Sequence, residues 1–156
     1  MSTFHRMAVT LLLFFINTAV LFGQPIAREK EDDLPKDYLT ADFHAGRRAA
    51  LRSIMPDNSV MVIFAYPART YSNDVEYLYH ANPDMYYFSG YKEPHSLLIV
   101  FKEEQKDAEG NSYNELLFVQ KRNAQAEQWT GKRLGVEGAK EKLGIKMAFN
   151  GNDFKK

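Results

Sequence analysis

The chain of 156 residues contains no cysteine, which excludes disulfide bonds, thiolate nucleophiles and cysteine-ligated metal sites. It also lacks net charge, because 20 lysine and arginine residues balance 20 aspartate and glutamate residues. No basic stripe runs along it, so nothing favours nucleic acid as a partner. The absence of cysteine leaves export open, because many exported proteins have no disulfides.

Catalytic signatures are missing as well. The sequence has no G-x-S-x-G motif, no phosphate-binding loop and no dinucleotide-binding fingerprint. The histidines form no H-E-x-x-H or H-x-H pair, and each is interpreted as solvent-facing or locally hydrogen-bonded; they are His5, His44, His80 and His95. The carboxylates show no metal-site spacing. The residues by themselves therefore predict no catalytic residue and no metal ligand in this chain.

The single long apolar run lies at residues 8–22, directly after His5 and Arg6. It is shorter than the roughly 20 residues that a membrane-spanning helix needs, and a basic start followed by a short apolar core is typical of a signal peptide. We therefore expect residues 1–24 to be a signal peptide and the protein to be exported, to the periplasm or the extracellular space. An uncleaved signal anchor is the alternative. Residues 25–37 are charged and contain two prolines, which predicts an exposed linker.

Residues 38–156 are long enough for one domain, and their pattern predicts an α/β fold with a mixed sheet flanked by helices. A helix is predicted over residues 42–55, with Thr40 or Asp42 as its cap and Pro56 as its stop. Its predicted apolar face consists of Phe43, Ala50, Leu51 and Ile54, and its flanking cations are Arg47, Arg48 and Arg52.

Three apolar runs predict strands, at residues 59–66, 96–101 and 115–119. The first is apolar on both faces and is interpreted as a buried strand. Residues 103–113 read as a polar hairpin-like loop. A short helix is predicted over residues 136–143, with Gly144 at its C-cap. No further element is expected after it, and the chain is interpreted as a fragment or a truncated gene product.

The segment from Asp74 to Pro94 is the most informative part of the chain, since it combines many tyrosines with acids, a glycine and a Glu-Pro pair. It predicts a half-buried strand over Met85–Ser89 that leads into a turn at Gly90. Aromatic rings with polar tips are typical of binding or subunit surfaces. Residues 69–77 are interpreted either as part of such a surface or as a plain turn with an aspartate cap.

The second unusual cluster, residues 127–133, holds the single tryptophan, Trp129, beside a glycine and two cations. A tryptophan next to arginine in a loop can stack on a ligand or anchor a subunit contact. The alternative interpretation is a tryptophan that covers an edge of the core.

Three segments in order carry a resemblance to a family: RRAALRSIMPDNSVMVIFA, then SNDVEYLYHANPDMYYFSGYKEP, then LLFVQKRNAQAEQWTGKRLGVEGAKEKLG. Together they resemble the N-terminal domain of aminopeptidase P, the Xaa-Pro aminopeptidase and creatinase-like group, over about residues 38–153. The resemblance implies a creatinase N-terminal-like, RNase-H-like fold. Two departures stand out: His80-Ala81 replaces the usual Arg-Gln, and Lys132 replaces the first arginine of a usual Arg-Arg pair.

The resemblance also implies a function. Such enzymes release an N-terminal residue that precedes proline, with two metal ions, usually manganese, held in a C-terminal catalytic domain that this chain does not contain. The N-terminal domain would then shape the active-site entrance and a homo-oligomer interface, with Asp74, Trp129 and Arg133 as substrate-binding residues. Its partners would be the catalytic domain of the same polypeptide and peptides with proline at the second position. The alternative is a stand-alone secreted binding or oligomerisation module without peptidase activity.

Overall fold

The structure, a computed structural model, describes residues 39–155. Its elements in chain order are helix α1 (Ala41–Ile54), strands β1 (Val60–Phe64), β2 (Thr70–Ser72) and β3 (Val75–Glu76), helix α2 (Pro83–Ser89), strands β4 (Leu97–Lys106) and β5 (Ser112–Val119), helices α3 (Ala124–Thr130) and α4 (Gly135–Leu143), strand β6 (Ala148–Asn150) and a 3₁₀ helix (Gly151–Lys155). The predicted signal peptide and linker lie outside the described residues. No helix in the described part is both long enough and apolar enough to cross a membrane.

The main sheet has the strand order β1-β4-β5-β6. Strand β4 pairs antiparallel with both β1 and β5, whereas β6 runs parallel to β5. Strands β2 and β3 form a separate two-stranded hairpin. The predicted class, a mixed sheet with helices packed on it, is confirmed.

Helix α1 begins where the sequence predicts, because the Thr40 hydroxyl accepts a hydrogen bond from the Phe43 amide at 3.2 Å. Its predicted apolar face is correct for Leu51, which packs against the core, but wrong for Ile54, which is 80% exposed, and the fully buried residues of the helix are His44 and Arg48. His44 is held inside by its Nδ1, which lies 2.9 Å from the Tyr87 carbonyl oxygen. The buried stripe of α1 is therefore polar, and a hydrophobicity pattern cannot find it.

Arg48 does not extend along the flank of α1 as predicted; its side chain is 2% exposed. Its Nε and Nη2 donate to the two carboxylate oxygens of Glu115 on β5, at 2.6 and 2.8 Å. Its Nη1 donates to the Phe88 carbonyl oxygen on α2, at 2.7 Å. A buried guanidinium needs this pairing, because an uncompensated charge in the interior is very costly. One side chain thus joins α1, α2 and the sheet.

The predicted strand over Met85–Ser89 is wrong, because these residues belong to helix α2. The Asn82 side chain caps the helix by accepting from the Asp84 amide at 3.0 Å, and Pro83 occupies the first turn, where its missing N–H has no consequence. Met85 and Ser89, four residues apart, form the buried face. The tyrosine-rich composition favoured a strand, but the capping residues decide the local structure.

Gly90 ends α2 with a φ of 76°, in the left-handed region that favours glycine. A β-carbon at this position would lie 2.9 Å from Cδ2 of the buried His44 ring. The Gly90 turn that the sequence predicts is confirmed, and the structure adds a second reason for glycine: the close approach of α1.

The remaining elements match the sequence in part. The strands predicted at residues 96–101 and 115–119 are confirmed: β4 begins one residue later, at Leu97, and both β4 and β5 are longer than predicted. Helix α4 ends at Gly144 with a φ of 67°. The predicted loop over residues 103–113 is largely strand, with a turn closed by Asp107 accepting from the Asn111 amide at 2.8 Å. Helix α3, strand β6 and the 3₁₀ helix were not predicted, so the expectation of no element after α4 is wrong.

The two faces of the main sheet differ. The inner face packs against the helices and forms the core; its strand residues include Ile63, Leu98, Val100, Leu117, Val119 and Ala148. The strand register places nine residues on the opposite side, here called the outer face: Val60, Val62, Phe64, Leu97, Ile99, Phe101, Leu116, Phe118 and Phe149. Val60, Val62 and Phe64 are exposed, so the prediction that β1 is buried on both faces is wrong for the described residues.

The Arg48 contacts generate a stability prediction. We expect Arg48→Ala to lower the free energy of unfolding by about 3–5 kcal/mol, because it leaves Glu115 without its close partner. Arg52→Ala is the matched control: it removes a second, partly exposed contact to Glu115 at 3.2 Å and should cost about 1 kcal/mol or less.

The measurement is urea unfolding followed by circular dichroism. The double variant Arg48→Met/Glu115→Leu should recover most of the loss, since it removes both buried charges together. Equal losses for Arg48→Ala and Arg52→Ala would contradict the assignment.

Candidate functional site

Asp74 lies at the tip of the β2–β3 hairpin. The turn residue before it, Asn73, has a φ of 48°, a conformation that asparagine tolerates better than most residues. Tyr71 and Tyr77 stack edge-to-face across the hairpin, with ring centroids 5.2 Å apart. Residues 69–77 therefore form two short strands joined by a turn, and Asp74 is exposed on that turn. A cross-strand aromatic pair stiffens this hairpin. That the segment forms part of a binding surface stays a prediction.

A cavity of about 320 Å³ opens at the base of this hairpin, and its walls are mainly aromatic; they comprise Tyr66, Pro67, Arg69, Tyr77, Leu78, Tyr79 and His80. The Tyr79 hydroxyl is buried without a hydrogen-bond partner. Burial, followed by the nearby Tyr66, raises the pKa of this hydroxyl. Apolar walls with a few polar groups are typical of small-ligand sites. Sequence reasoning did not identify this cavity, although the aromatic richness of the segment was the available signal.

Trp129 lies in helix α3 and not in a loop as predicted, and it is 88% exposed. It therefore does not cover an edge of the core within the described structure. Asn123 caps α3 by accepting from the Gln125 and Ala126 amides. Glu127 accepts two hydrogen bonds from the Arg122 guanidinium, at 2.7 and 2.8 Å, and this pairing holds the pKa of Glu127 below its ordinary value. These contacts fix a short helix whose tryptophan faces outward.

Arg133 lies in the turn between α3 and α4, where its Nη1 donates to the Lys121 carbonyl oxygen at 3.1 Å. It lines a second, polar cavity of about 800 Å³, together with His95, Val119, Gln120, Lys121, Arg122, Asn123, Gly151 and Asn152. The cations in this wall are suited to an acidic or carboxylate group. Neither Asp74 nor Trp129 lines this cavity or the one beneath the hairpin. The structure thus places the three predicted site residues on separate features.

Glu93 connects two of the segments that carry the resemblance. One carboxylate oxygen accepts from the Leu134 amide at 2.6 Å, and the other accepts from the Tyr91 hydroxyl at 2.9 Å. The Gln120 side chain donates to the Pro94 carbonyl oxygen at 2.9 Å. The Gly-Tyr-Lys-Glu-Pro turn therefore contacts the start of α4 through the Glu93 carboxylate. Because Leu134 directly follows Arg133, Glu93 positions the segment that carries the candidate arginine.

Within residues 39–155, no group of three or more histidine, aspartate or glutamate side chains is arranged to hold a metal ion. The described residues thus do not fit a di-metal centre. What they offer is an exposed tryptophan, an exposed aspartate, an aromatic cavity and a basic cavity, which can bind and orient a ligand.

The contact between Tyr91 and Glu93 generates a prediction about pH. Burial, together with the adjacent Glu93 carboxylate, raises the pKa of Tyr91 far above its ordinary value. A raised pKa means that the stabilising contribution of Tyr91 is complete below its unfolded pKa, about 10, and is lost as the pH rises above that value. At pH 7, Tyr91→Phe should cost about 1–3 kcal/mol, because a hydrogen bond to a carboxylate is lost.

Urea unfolding of both proteins between pH 7 and 11 tests this. The difference in stability between wild type and Tyr91→Phe should shrink above pH 10. Parallel curves over the whole range would mean that Tyr91 does not titrate with unfolding.

Comparison with known proteins identifies the family. The family model described as "Aminopeptidase P, N-terminal domain" matches residues 44–156. The Xaa-Pro aminopeptidase of Escherichia coli K12 is 42% identical over 103 residues, which is 66% of this chain and 22% of that protein. Human Xaa-Pro aminopeptidase 3 is 30% identical over 97 residues, 62% of this chain and 19% of that protein.

Solved structures agree. Aminopeptidase P from E. coli with the inhibitor Pro-Leu superposes with a TM-score of 0.63 at 36% identity, covering 74% of this chain and 25% of that one. Aminopeptidase PepP of Pseudomonas aeruginosa gives a TM-score of 0.63 at 30% identity, with the same coverage. The chain spans about a quarter of the length of the proteins it matches. These matches show that the chain belongs to the aminopeptidase P N-terminal domain family.

Proposed function

We propose that this chain is the non-catalytic N-terminal part of an exported Xaa-Pro metalloaminopeptidase. The observation that carries the proposal is the family match over residues 44–156, combined with described residues that hold no candidate metal cluster. The chain accounts for about a quarter of each solved relative. The whole enzyme would release an N-terminal residue that precedes proline, and its chemistry would lie in a catalytic domain on the same polypeptide.

The cofactor of the whole enzyme, in this proposal, is a pair of manganese ions. Such ions supply an activated water and polarise the scissile carbonyl. The described residues do not fit them, so their ligands would belong to the catalytic domain. The part of this chain would be to bind and orient the peptide and to restrict access to the cleft.

Three residues would bind and orient the peptide in this proposal. Trp129 offers an aromatic wall, since its ring is exposed and the helix that carries it is fixed by the Arg122–Glu127 pair. Asp74 offers a carboxylate that can meet the free amino terminus of a peptide. Arg133 offers a guanidinium beside a basic cavity. Because they lie on separate features of this chain, we propose that they act at an entrance completed by the catalytic domain or by a second subunit of a homo-oligomer.

The departures from the family pattern bear on peptide preference. His80 lines the aromatic cavity beneath the hairpin, at a position where the family usually has arginine. An imidazole is shorter than a guanidinium and has fewer N–H donors. We therefore propose that this cavity binds its ligand mainly through its aromatic walls, with Arg69 as the guanidinium in its lining.

A stand-alone secreted binding or oligomerisation module remains the alternative. The exposed tyrosines of the hairpin favour it, because aromatic residues are enriched at protein interfaces. The reading frame after Lys156 separates the two proposals: a downstream metal-ligand set supports the peptidase, and an immediate stop codon supports the module.

We also propose export, because the apolar run at residues 8–22 is too short to span a membrane comfortably. The expected outcome is removal of residues 1–24, read as the intact mass of the protein recovered from the periplasm or the medium. A mass that retains Met1 would instead support an uncleaved anchor.

The proposed division of labour is tested by assaying residues 25–156 on a peptide with proline at the second position, with manganese added. We expect no hydrolysis above the blank, whereas the full-length protein should be active. Metal-dependent turnover by residues 25–156, in a preparation free of host peptidases, would overturn the proposal.

Exchange of the entrance residues should weaken the full-length enzyme without inactivating it. We expect Trp129→Ala and Asp74→Ala each to lower kcat/KM by about 5- to 150-fold, equivalent to a lost contact of about 1–3 kcal/mol. The metal content should stay at the wild-type value, because neither residue is a metal ligand in this proposal.

Matched controls separate the roles. Trp129→Phe keeps an aromatic wall and should retain most of the activity, and Asp74→Asn should behave like Asp74→Ala if the charge is what matters. Glu109→Ala removes another exposed acid in the β4–β5 turn and should have no effect. Wild-type kinetics in both alanine variants would show that the two residues take no part in binding, and loss of metal would mean that they are misplaced.

A further inference from the structure

The basic cavity, the space of about 800 Å³ beside Arg133, is lined by Lys121, Arg122 and Arg133 and by no aspartate or glutamate. We propose that it binds a carboxylate group of the peptide substrate, contributed by the C-terminus of the peptide or by one of its acidic side chains. The inference rests on the proposed function and deepens it: Asp74 would meet the amino terminus of the peptide, and this cavity would bind a negative group further along it.

Positive charge at the basic cavity is not balanced by the carboxylates around it. Glu127 accepts from the Arg122 guanidinium at 2.7 and 2.8 Å, which balances the charge of Arg122. Glu93 already accepts two hydrogen bonds elsewhere, one from a backbone amide and one from a tyrosine hydroxyl. Among the ion pairs of residues 39–155, none involves Lys121 or Arg133. The cavity therefore offers two cations to an incoming anion.

Arg133 is positioned to bind a carboxylate. Its Nη1 donates to the Lys121 carbonyl oxygen at 3.1 Å, which holds the side chain at the cavity wall and uses one of the five N–H donors of a guanidinium. Its backbone is fixed too, since Glu93 accepts from the amide of the next residue, Leu134, at 2.6 Å. The planar fork of a guanidinium matches the two oxygens of a carboxylate.

His95 forms another part of the cavity wall, in a backbone conformation that its contacts maintain. Its φ is 56°, in the left-handed region that is uncommon for residues other than glycine. Its amide donates to the Tyr66 carbonyl oxygen at 3.3 Å, and its Nε2 accepts from the Ala68 amide at 3.4 Å. Because Nε2 accepts, a neutral ring carries its proton on Nδ1 and has a donor there. Residues held in such conformations cluster at functional sites.

The neutral lining residues favour a peptide over a small inorganic anion. Gln120, Asn123 and Asn152 carry side-chain amides, which can donate to and accept from peptide groups. Gln120 is fixed in place, because its Nε2 donates to the Pro94 carbonyl oxygen at 2.9 Å. The cavity volume falls in the range of about 300–1,000 Å³ that is typical of sites for organic ligands. A single small ion would leave most of this space unfilled.

Peptide kinetics test the proposal in the full-length protein. Substrates of about three to six residues with proline at the second position are compared in three forms: the free acid, the C-terminal amide, and an amide whose last residue is glutamate. We expect a carboxylate form to exceed the neutral amide by about 10- to 100-fold in kcat/KM at one or more of these lengths, since a charged hydrogen bond is gained. Preference for the free acid alone assigns the C-terminus, and preference for the glutamate amide assigns an acidic side chain. Equal values for the three forms at every length would overturn the proposal.

Exchange of the cations locates the carboxylate. Arg133→Gln should reduce the preference for carboxylate forms to about one, and Lys121→Gln should reduce it in part. Arg133→Lys keeps the charge without the fork and should retain some preference. Lys106→Gln is the control, because this exposed cation pairs with Ser112 at the end of β5 far from the cavity, and it should keep the full preference. A preference that survives unchanged in Arg133→Gln would overturn the proposal.

Binding without turnover separates this proposal from the proposed function. Titration calorimetry of the full-length protein, treated with a metal chelator, compares the same three peptide forms. Tighter binding of a carboxylate form, lost in Arg133→Gln, in a protein that does not cleave Xaa-Pro peptides would overturn only the peptidase. Cleavage of these peptides with no preference for a carboxylate would overturn only the carboxylate site.

Discussion

The fold depends on one buried ion pair, between Arg48 and Glu115. Its three short hydrogen bonds join α1 to β5 and to the end of α2. Buried ion pairs are weak sources of stability, because desolvation offsets much of their attraction, but leaving one partner unpaired is costly. The pair therefore helps to fix the position of helix α1 on the sheet, where Arg48 meets both Glu115 and the Phe88 carbonyl oxygen. Loss of either charged partner would leave the other without its closest counter-charge.

The other contacts of α1 depend on this position. His44 lies one turn before Arg48, and its ring reaches the Tyr87 carbonyl and packs edge-to-face on Tyr86, 5.3 Å away. Gly90 then lets the chain pass close to that ring. The Gly90 turn in turn directs Tyr91 and Glu93 towards α4, where Glu93 holds the Leu134 amide. Through these contacts, the position of the segment that carries Arg133 is linked to a pair of charges in the core.

The sequence predicted the elements whose ends carry local signals. Helix α1 has Thr40 and Pro56 at its ends, and α4 has Gly144, so both were found. Helix α2 was missed although Asn82, Pro83 and Gly90 cap it, because the weight given to tyrosine favoured a strand. The polar core residues of α1 could not be predicted, since the partner of Arg48 lies 67 residues away. Contacts over that separation follow from the tertiary fold and have no periodic signature.

The contacts of the candidate site likewise could not be predicted from local sequence patterns. Asp74, Trp129 and Arg133 came from the resemblance to a family, and the structure adds what sequence could not: a hairpin stiffened by aromatic contact, an outward tryptophan and a basic cavity. The contact of Glu93 with Leu134 spans 41 residues, so the Glu-Pro motif could be recognised without its structural reason. The cavity near His80 could not be predicted from the sequence either, because the orientation of the side chains in its walls is determined only by the fold.

Two surfaces of the described domain are unfavourable in water, and they differ in kind. The outer face is a broad apolar sheet surface, whereas Trp129 is a single large ring on a short helix. The helix is held by the Asn123 cap and the Arg122–Glu127 pair, so its tryptophan cannot turn inward at low cost. Packing within residues 39–155 explains neither surface, because the core is already complete on the inner face without them. A domain that fixes an aromatic side chain in solvent and leaves a sheet face apolar presents two surfaces whose chemistry suits contact with a ligand or with another protein segment.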